Sequence, residues 1–389
     1  MFKNIVMTSG VSIFGSYNIF GKLTREKNIF EFDRTNPVKP AGEEVAIKDW
    51  LKVMRKNFDK IEGNEHNISA EYSLVHALQK QNKLDKKPII DLLHSENFGG
   101  KASAALIEDI LVYIFNAEVN SIEIKELDVT DRLKLNRGLG DFMARLNKVL
   151  EDKHSQFTCF APIGGYKVFS YFGYIAGSLN DLPTAYLHED KQVLQEIPPV
   201  PISYDTGFIL DNDQFLRRLY FFGGSLEEFN YQEKEIIGKY SHFFDFADDL
   251  VDINAFGILI CKKYFPHIFA VQVYLSKEAQ DVIESNPSNK QFAYQQLRNL
   301  AQKLDEGIKD WDLYHEREFK NLNPSELEYS LYKASQGEFR ATWKYDASNK
   351  ELFVNYIWFN HKRYEREVEQ GKGLRTNKDG FGNYSKMIY

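Results

Sequence analysis

The chain is 389 residues long, 43% hydrophobic and 27% charged, with 30 Phe and 22 Tyr. That is a globular composition with room for two or three domains and aromatic-rich cores. Its two cysteines, Cys159 and Cys261, exclude a disulfide framework and a Cys-rich metal site. The charge of −7 is uneven: residues 329–389 hold eleven Lys and Arg against seven Asp and Glu, and that surplus of four leaves −11 for the rest. The basic last segment is therefore the part suited to a polyanionic partner.

The N-terminus, MFKNIVMTSG, is too short and too quickly polar for a signal peptide. No apolar run approaches the ~20 residues that span a bilayer, so a cytoplasmic protein free of the membrane is expected. Lys3 to Thr8 reads as an apolar strand running into the small polar turn Ser9-Gly10-Val11-Ser12, a phosphate- or hydroxyl-binding first loop without GxGxxG. Residues 21–42 read as an irregular polar insertion, and Glu43 to Phe58 as a helix. Ser69 is a predicted N-cap for a helix with Tyr72, Leu74, Val75 and Leu78 at helical spacing.

Pro88 to Leu93 is a predicted buried strand, followed by His94-Ser95-Glu96-Asn97 and Gly99-Gly100. A helix over 102–115, an alternating strand over 121–129 and a helix over 138–150 come next. Gln156 to Lys167 (QFTCFAPIGGYK) then combines a short apolar strand, Gly164-Gly165, and Tyr166-Lys167 at the start of an apolar-periodic helix. Exposed backbone N–H groups, a helix dipole and the Lys167 ammonium would together form an anion site. Strands at 184–188 and 193–197 complete an open, mostly parallel α/β sheet. Ligands bind such sheets beyond the carboxyl ends of the strands, so the candidate ligand residues are Thr8, Ser9, Gly10, Ser12, Ser95, Glu96, Gly164, Gly165, Tyr166 and Lys167.

Pro198-Pro199-Val200-Pro201 marks a boundary. The expected domains are 1–201, a winged-helix-like connector over 202–290, and a last domain over 291–389. Within the connector, 213–222 and 231–240 read as helices, 258–261 and 268–275 as short strands, and 276–284 as a helix capped by Ser276. A helix over 291–308 leads to strands at 327–333, 337–345 and 351–360, which predict an antiparallel sheet. Residues 371–389 are Gly-rich and read as only partly ordered.

Asp245, Asp248, Asp249 and Asp252 would share one helical face downstream of His242. A solvated surface explains them better than a metal. Glu123-x-Lys125 reads as a cross-strand ion pair, and no histidine has zinc spacing with a Cys. In the last domain Lys333, Arg340, His361, Lys362, Arg363 and Tyr364 can converge on one sheet face. Cations stabilise a pentacoordinate phosphate, and His or Tyr moves protons to and from a 2′-hydroxyl and a leaving oxygen, so this set can cleave RNA without a metal. Tyr364 or Trp343 could stack a base.

The pieces MTSGVS, SAEYSL, LLHSENFGG, PIGGYKVF and IPPVPISYD, in this order, resemble a CARF (CRISPR-associated Rossmann fold) domain. The stretches SLYKASQGEFRATWKY and FNHKRYERE are similar to a RelE-type mRNA interferase, although Leu331 stands where that family often has a second lysine. The resemblance implies a Rossmann-like α/β domain, a connector, and an α+β RelE-like domain. It also implies a homodimer through the first domain, with a cyclic oligoadenylate, cyclic tetra-adenylate in particular, as activator and with no cofactor. The partners would be mRNA and the ribosome, and the role a toxin in antiviral defence. No His has the Arg-x4-6-His spacing of HEPN ribonucleases. The alternative is a non-enzymatic, nucleotide-sensing transcription regulator that binds DNA through the connector. The acidic run from Asp245 to Asp252 counts against it.

Overall fold

The computed structural model describes residues 1–34, 36–125, 132–151, 153–165, 167–188, 193–305, 307–308, 310–318, 327–334, 338–374 and 384–387. The chain divides into two compact units, Met1–Tyr264 and Phe265–Tyr389. The division falls inside 202–290, the stretch expected to be a connector.

The first unit runs β1 (Phe2–Thr8), α1 (Ile19–Glu26), β2 (Phe32–Asp33), β3 (Asn36–Pro37), α2 (Glu43–Arg55), α3 (Ala70–Lys80), β4 (Leu84–Ser95), α4 (Phe98–Phe115), β5 (Glu118–Ile124) and α5 (Arg132–Glu151). It continues through β6 (Thr158–Ala161), α6 (Lys167–Leu179), β7 (Thr184–His188), β8 (Val193–Ile197), α7 (Gly207–Asp211), α8 (Asp213–Phe222), β9 (Gly224–Ser225), α9 (Tyr231–Lys239), β10 (Phe244–Ala247), β11 (Leu250–Ile253) and α10 (Ala255–Tyr264). Six strands form a sheet in the order β5-β4-β1-β6-β7-β8. All neighbours are parallel except β7 and β8. This arrangement is compatible with a Rossmann-like fold. β1, β4 and β6 are apolar because both faces are covered, and Ile5, Met7, Ile90 and Leu92 join Leu74, Val75 and Ile107 in one core. The chain passes from β1 outward to β4 and β5, then returns to β6 on the other side. The crevice left by that reversal lies at the carboxyl end of β1.

Several expectations need correction. Residues 21–42 are not wholly irregular: α1 buries Phe20 and Leu23, and Thr24 Oγ1 accepts from Trp50 Nε1 at 2.9 Å. Segment 258–261 lies in helix α10, started by Asn254, whose side chain accepts from the Gly257 amide at 2.9 Å. The aspartates at 245–252 lie on the hairpin β10–β11, not on a helix; Asp245 stands opposite Asp252. Asp248 takes the positive φ of 54° in its turn, a conformation Asp tolerates. Glu123 is paired by Lys101 of α4 at 3.2 Å rather than across strands.

The second unit contains β12 (Gln272–Leu275), α11 (Lys277–Glu284), α12 (Lys290–Asp305), β13 (Ser330–Lys333), β14 (Arg340–Asp346), β15 (Glu351–Trp358), α13 (His361–Glu369) and β16 (Ser385–Lys386). The sheet order is β13-β14-β15-β12-β16. It is not purely antiparallel, because β12 pairs parallel to β15. One face packs Val273, Ala341 and Leu352 against Leu297 and Leu300 of α12. The other packs Leu331, Tyr356 and Trp358 under Tyr364 and Val368 of α13.

Candidate functional site

Three loops at the carboxyl ends of β1, β4 and β6 enclose a cavity of about 940 Å³. Ser9, Gly10 and Ser12 come from the first loop, Ser95, Glu96, Asn97 and Gly99 from the second, and Gly164 and Gly165 from the third. Ser69 and Ala70 bring in the start of α3, and Tyr17, Lys39 and His66 stand at its polar margin. Seven of the ten expected ligand residues, Ser9, Gly10, Ser12, Ser95, Glu96, Gly164 and Gly165, are thus brought together. Thr8 lies beneath them, buried, its hydroxyl donating to the Gly164 carbonyl at 2.6 Å. Lys167 is exposed on the first turn of α6 and is not among the described lining residues. Tyr166 lies outside the described residues.

The glycines act differently from the expected open nest. The Gly10 amide donates to Glu71 Oε1 at 2.8 Å, and the Gly164 amide to the Thr8 carbonyl at 3.2 Å. Those two N–H groups are already spoken for. The glycines are needed for close approach: a Cβ on Gly10 would run into the Gly165 amide, and one on Gly164 into Glu71 and the Gly10 amide. Gly165 also takes a φ of +86°, which favours glycine.

Glu71 is the residue that sequence reasoning missed. Its side chain is fully buried and ties the first loop to the start of α3. Besides the Gly10 amide it accepts from Ser12 Oγ at 3.1 Å, and that hydroxyl in turn accepts from the Ala70 amide at 3.3 Å. Burial pushes the Glu71 carboxyl above its ordinary range, against the bonds from Gly10 and Ser12 that lower it. The one available signal was its place two residues after the Ser69 cap, which accepts from the Tyr72 amide at 3.1 Å.

In the second unit the strand register sets Lys333 directly opposite Arg340, and Arg340 opposite Trp358, so the three side chains share a face. The Arg340 guanidinium lies 5.5 Å from the Tyr364 ring centroid and Nη1 donates to the Phe339 carbonyl at 2.8 Å. Its Nε has no hydrogen-bond partner among the described residues. Tyr364 is stacked between His361 at 6.0 Å and His315 at 6.2 Å. Arg340 is only 6% exposed and Tyr364 only 1%, so both are shielded from a substrate in this conformation.

His361 is exposed, 3.3 Å from Glu365, and its amide donates to Glu338 at 3.2 Å. Lys362 is exposed. Arg363 is engaged by Glu367 at 2.9 Å and by the Tyr356 hydroxyl at 3.2 Å. Neither expected base-stacking residue is available: Tyr364 is sandwiched, and Trp343 is buried with Nε1 donating to the Leu313 carbonyl at 3.0 Å. Leu331 is fully buried under α13.

No group of His, Cys, Asp and Glu suited to a metal ion occurs among the described residues. No helix among them is long and apolar enough to cross a membrane. No curated protein matches the chain. Residues 66–200, about a third of the chain, match the model of a family described as CRISPR-associated protein (Cas_APE2256), and this supports a CRISPR-associated protein with a role in CRISPR defence.

Proposed function

We propose that the chain is an endoribonuclease switched on by a cyclic oligoadenylate, acting on mRNA at the ribosome. The observation that carries the reading is the cross-strand row of Lys333 and Arg340 beside Tyr364 and His361. Two cations on one sheet face suit a phosphodiester that gains charge in its transition state. The 2′-hydroxyl attacks phosphorus, losing its proton to a base, while the departing 5′-oxygen takes one from an acid. His361 and Tyr364, ring on ring, carry these transfers. The products are a 2′,3′-cyclic phosphate and a 5′-hydroxyl.

The sensing half rests on the cavity at the reversal point of the parallel sheet and on the family match over 66–200. Its lining suits a ring nucleotide: serine hydroxyls and the start of α4 for phosphates, and the Glu96 carboxylate for ribose hydroxyls or an adenine amino group. Two copies share one ring about a two-fold axis. The shielding of Arg340 and Tyr364 fits a resting enzyme, and ligand binding must favour a state in which they are uncovered.

The sensor is tested by titration calorimetry with cyclic tetra-adenylate. One ring per two chains is expected, with binding abolished by Ala70→Trp, which fills the cavity. Absence of heat with the unaltered chain for rings of four and of six adenylates would overturn the sensing half. The catalytic half is tested by mapping mRNA 5′ ends in a translation reaction supplied with the ligand, where the cuts should disappear in Arg340→Ala.

A further inference from the structure

The ribonuclease reading leaves open where the RNA base goes, because Tyr364 and Trp343 are both buried. Among the described residues of this unit, one Phe, Tyr or Trp ring is exposed. Trp311 is 60% exposed, and the Lys333 ammonium stands 5.1 Å from its ring centroid. Trp311 meets the His315 ring edge-to-face at 6.0 Å, and His315 stacks on Tyr364, over which Arg340 lies. Lys333 and Arg340 are themselves cross-strand partners. The contacts therefore close a circuit: Lys333, Trp311, His315, Tyr364, Arg340 and back to Lys333.

We infer that Trp311 is the base-stacking platform of this site, with Lys333 holding the adjacent phosphate, and that its ligand is single-stranded RNA. An exposed indole costs solubility, and every base offers it a π-face. The Lys333 ammonium beside the ring supplies the positive charge that a nucleic-acid backbone needs and an apolar protein partner would not use. This inference rests on the ribonuclease reading for the identity of the neighbouring cations, but its test does not require cleavage.

The chain has four tryptophans, of which Trp50, Trp343 and Trp358 are buried, so the fluorescence that acrylamide can quench reports Trp311. The experiment titrates the full chain, with cyclic tetra-adenylate present, with a 2′-O-methylated RNA hexamer that cannot be cut. RNA should protect that fluorescence from acrylamide. Trp311→Ala, followed by anisotropy of labelled RNA, should raise Kd roughly 5- to 150-fold, with Trp311→Phe recovering most of the loss. An unchanged Kd in Trp311→Ala, or RNA that leaves the accessible fluorescence untouched, overturns the assignment. Protection of Trp311 together with cutting that persists in Arg340→Ala would keep the platform and sink the catalytic assignment instead.

Discussion

Replacing Glu71 tests how the first unit holds its ligand loops. Glu71→Ala removes the acceptor of the Gly10 amide and of the Ser12 hydroxyl. A buried N–H left without a partner costs ~1–3 kcal/mol, and a lost hydroxyl bond ~0.5–1.5 kcal/mol where the group keeps another partner. Ser12 keeps the Ala70 amide, so the two losses come to roughly 1.5–4.5 kcal/mol. Glu71→Gln keeps an oxygen for Gly10 and offers an N–H to Ser12, so its cost should stay within about 1 kcal/mol. The sign of the pH effect follows from burial, which raises the folded-state pKa above the ordinary 4.5. The stability tied to that proton is complete below 4.5 and is lost as pH rises through the folded value. Glu71→Gln should therefore gain on the unaltered chain as pH rises and lose that advantage in acid.

The assay is thiol labelling in urea. Both cysteines lie in the first unit, Cys159 in β6 and Cys261 in α10, and both are buried with their thiols pushed up by desolvation, so they react when that unit opens. Labelling of Glu71→Ala at the unaltered chain's urea concentration would refute the loop-tie argument. Equal damage from Gln and Ala at pH 8 would show that the ionised carboxylate itself is required.

Other substitutions probe separate steps. Gly164→Ala forces a methyl against Glu71 and the Gly10 amide and should cost ~1–3 kcal/mol in the same labelling assay. Arg340→Ala should lower mRNA cleavage by at least ~100-fold. Arg363→Ala, already engaged by Glu367 and Tyr356, should change it less than tenfold, and the ratio of the two rates checks the assignment. Leu331→Lys places an ammonium among Tyr364, Val368 and Leu374. It should destabilise the second unit by several kcal/mol, seen as a lower melting temperature, rather than improve catalysis.

Strong local signals were legible in the sequence. Ser69 and Ser276 are N-caps as read, each accepting from the amide three residues on, and the strand–turn–helix segments around Gly10 and Gly164 do line one cavity. Short apolar or acidic runs were not. AFGILICKK is apolar enough for a strand or a buried helix, and the Asn254 cap decides for the helix. In FDFADDLVDI the alternation of Phe244 and Phe246 with aspartates is a strand pattern that spacing of three and four disguised. Long-range facts lay beyond reach altogether. Nothing local tells that β12 joins the last sheet, that Glu71 occupies the Gly10 amide, or that Arg363 pairs with Glu367 while Trp311 stands beside Lys333.

The central claim is that occupancy of the first unit's cavity switches on cleavage by the second. It is tested most directly in a translation reaction supplied with the purified chain, with and without cyclic tetra-adenylate, by counting new mRNA ends that carry a 5′-hydroxyl. The account predicts cuts with the ligand, few without it, and none with ligand when Ala70→Trp fills the cavity. Equal cutting with and without ligand, or full ligand-stimulated cutting by Ala70→Trp, would contradict it.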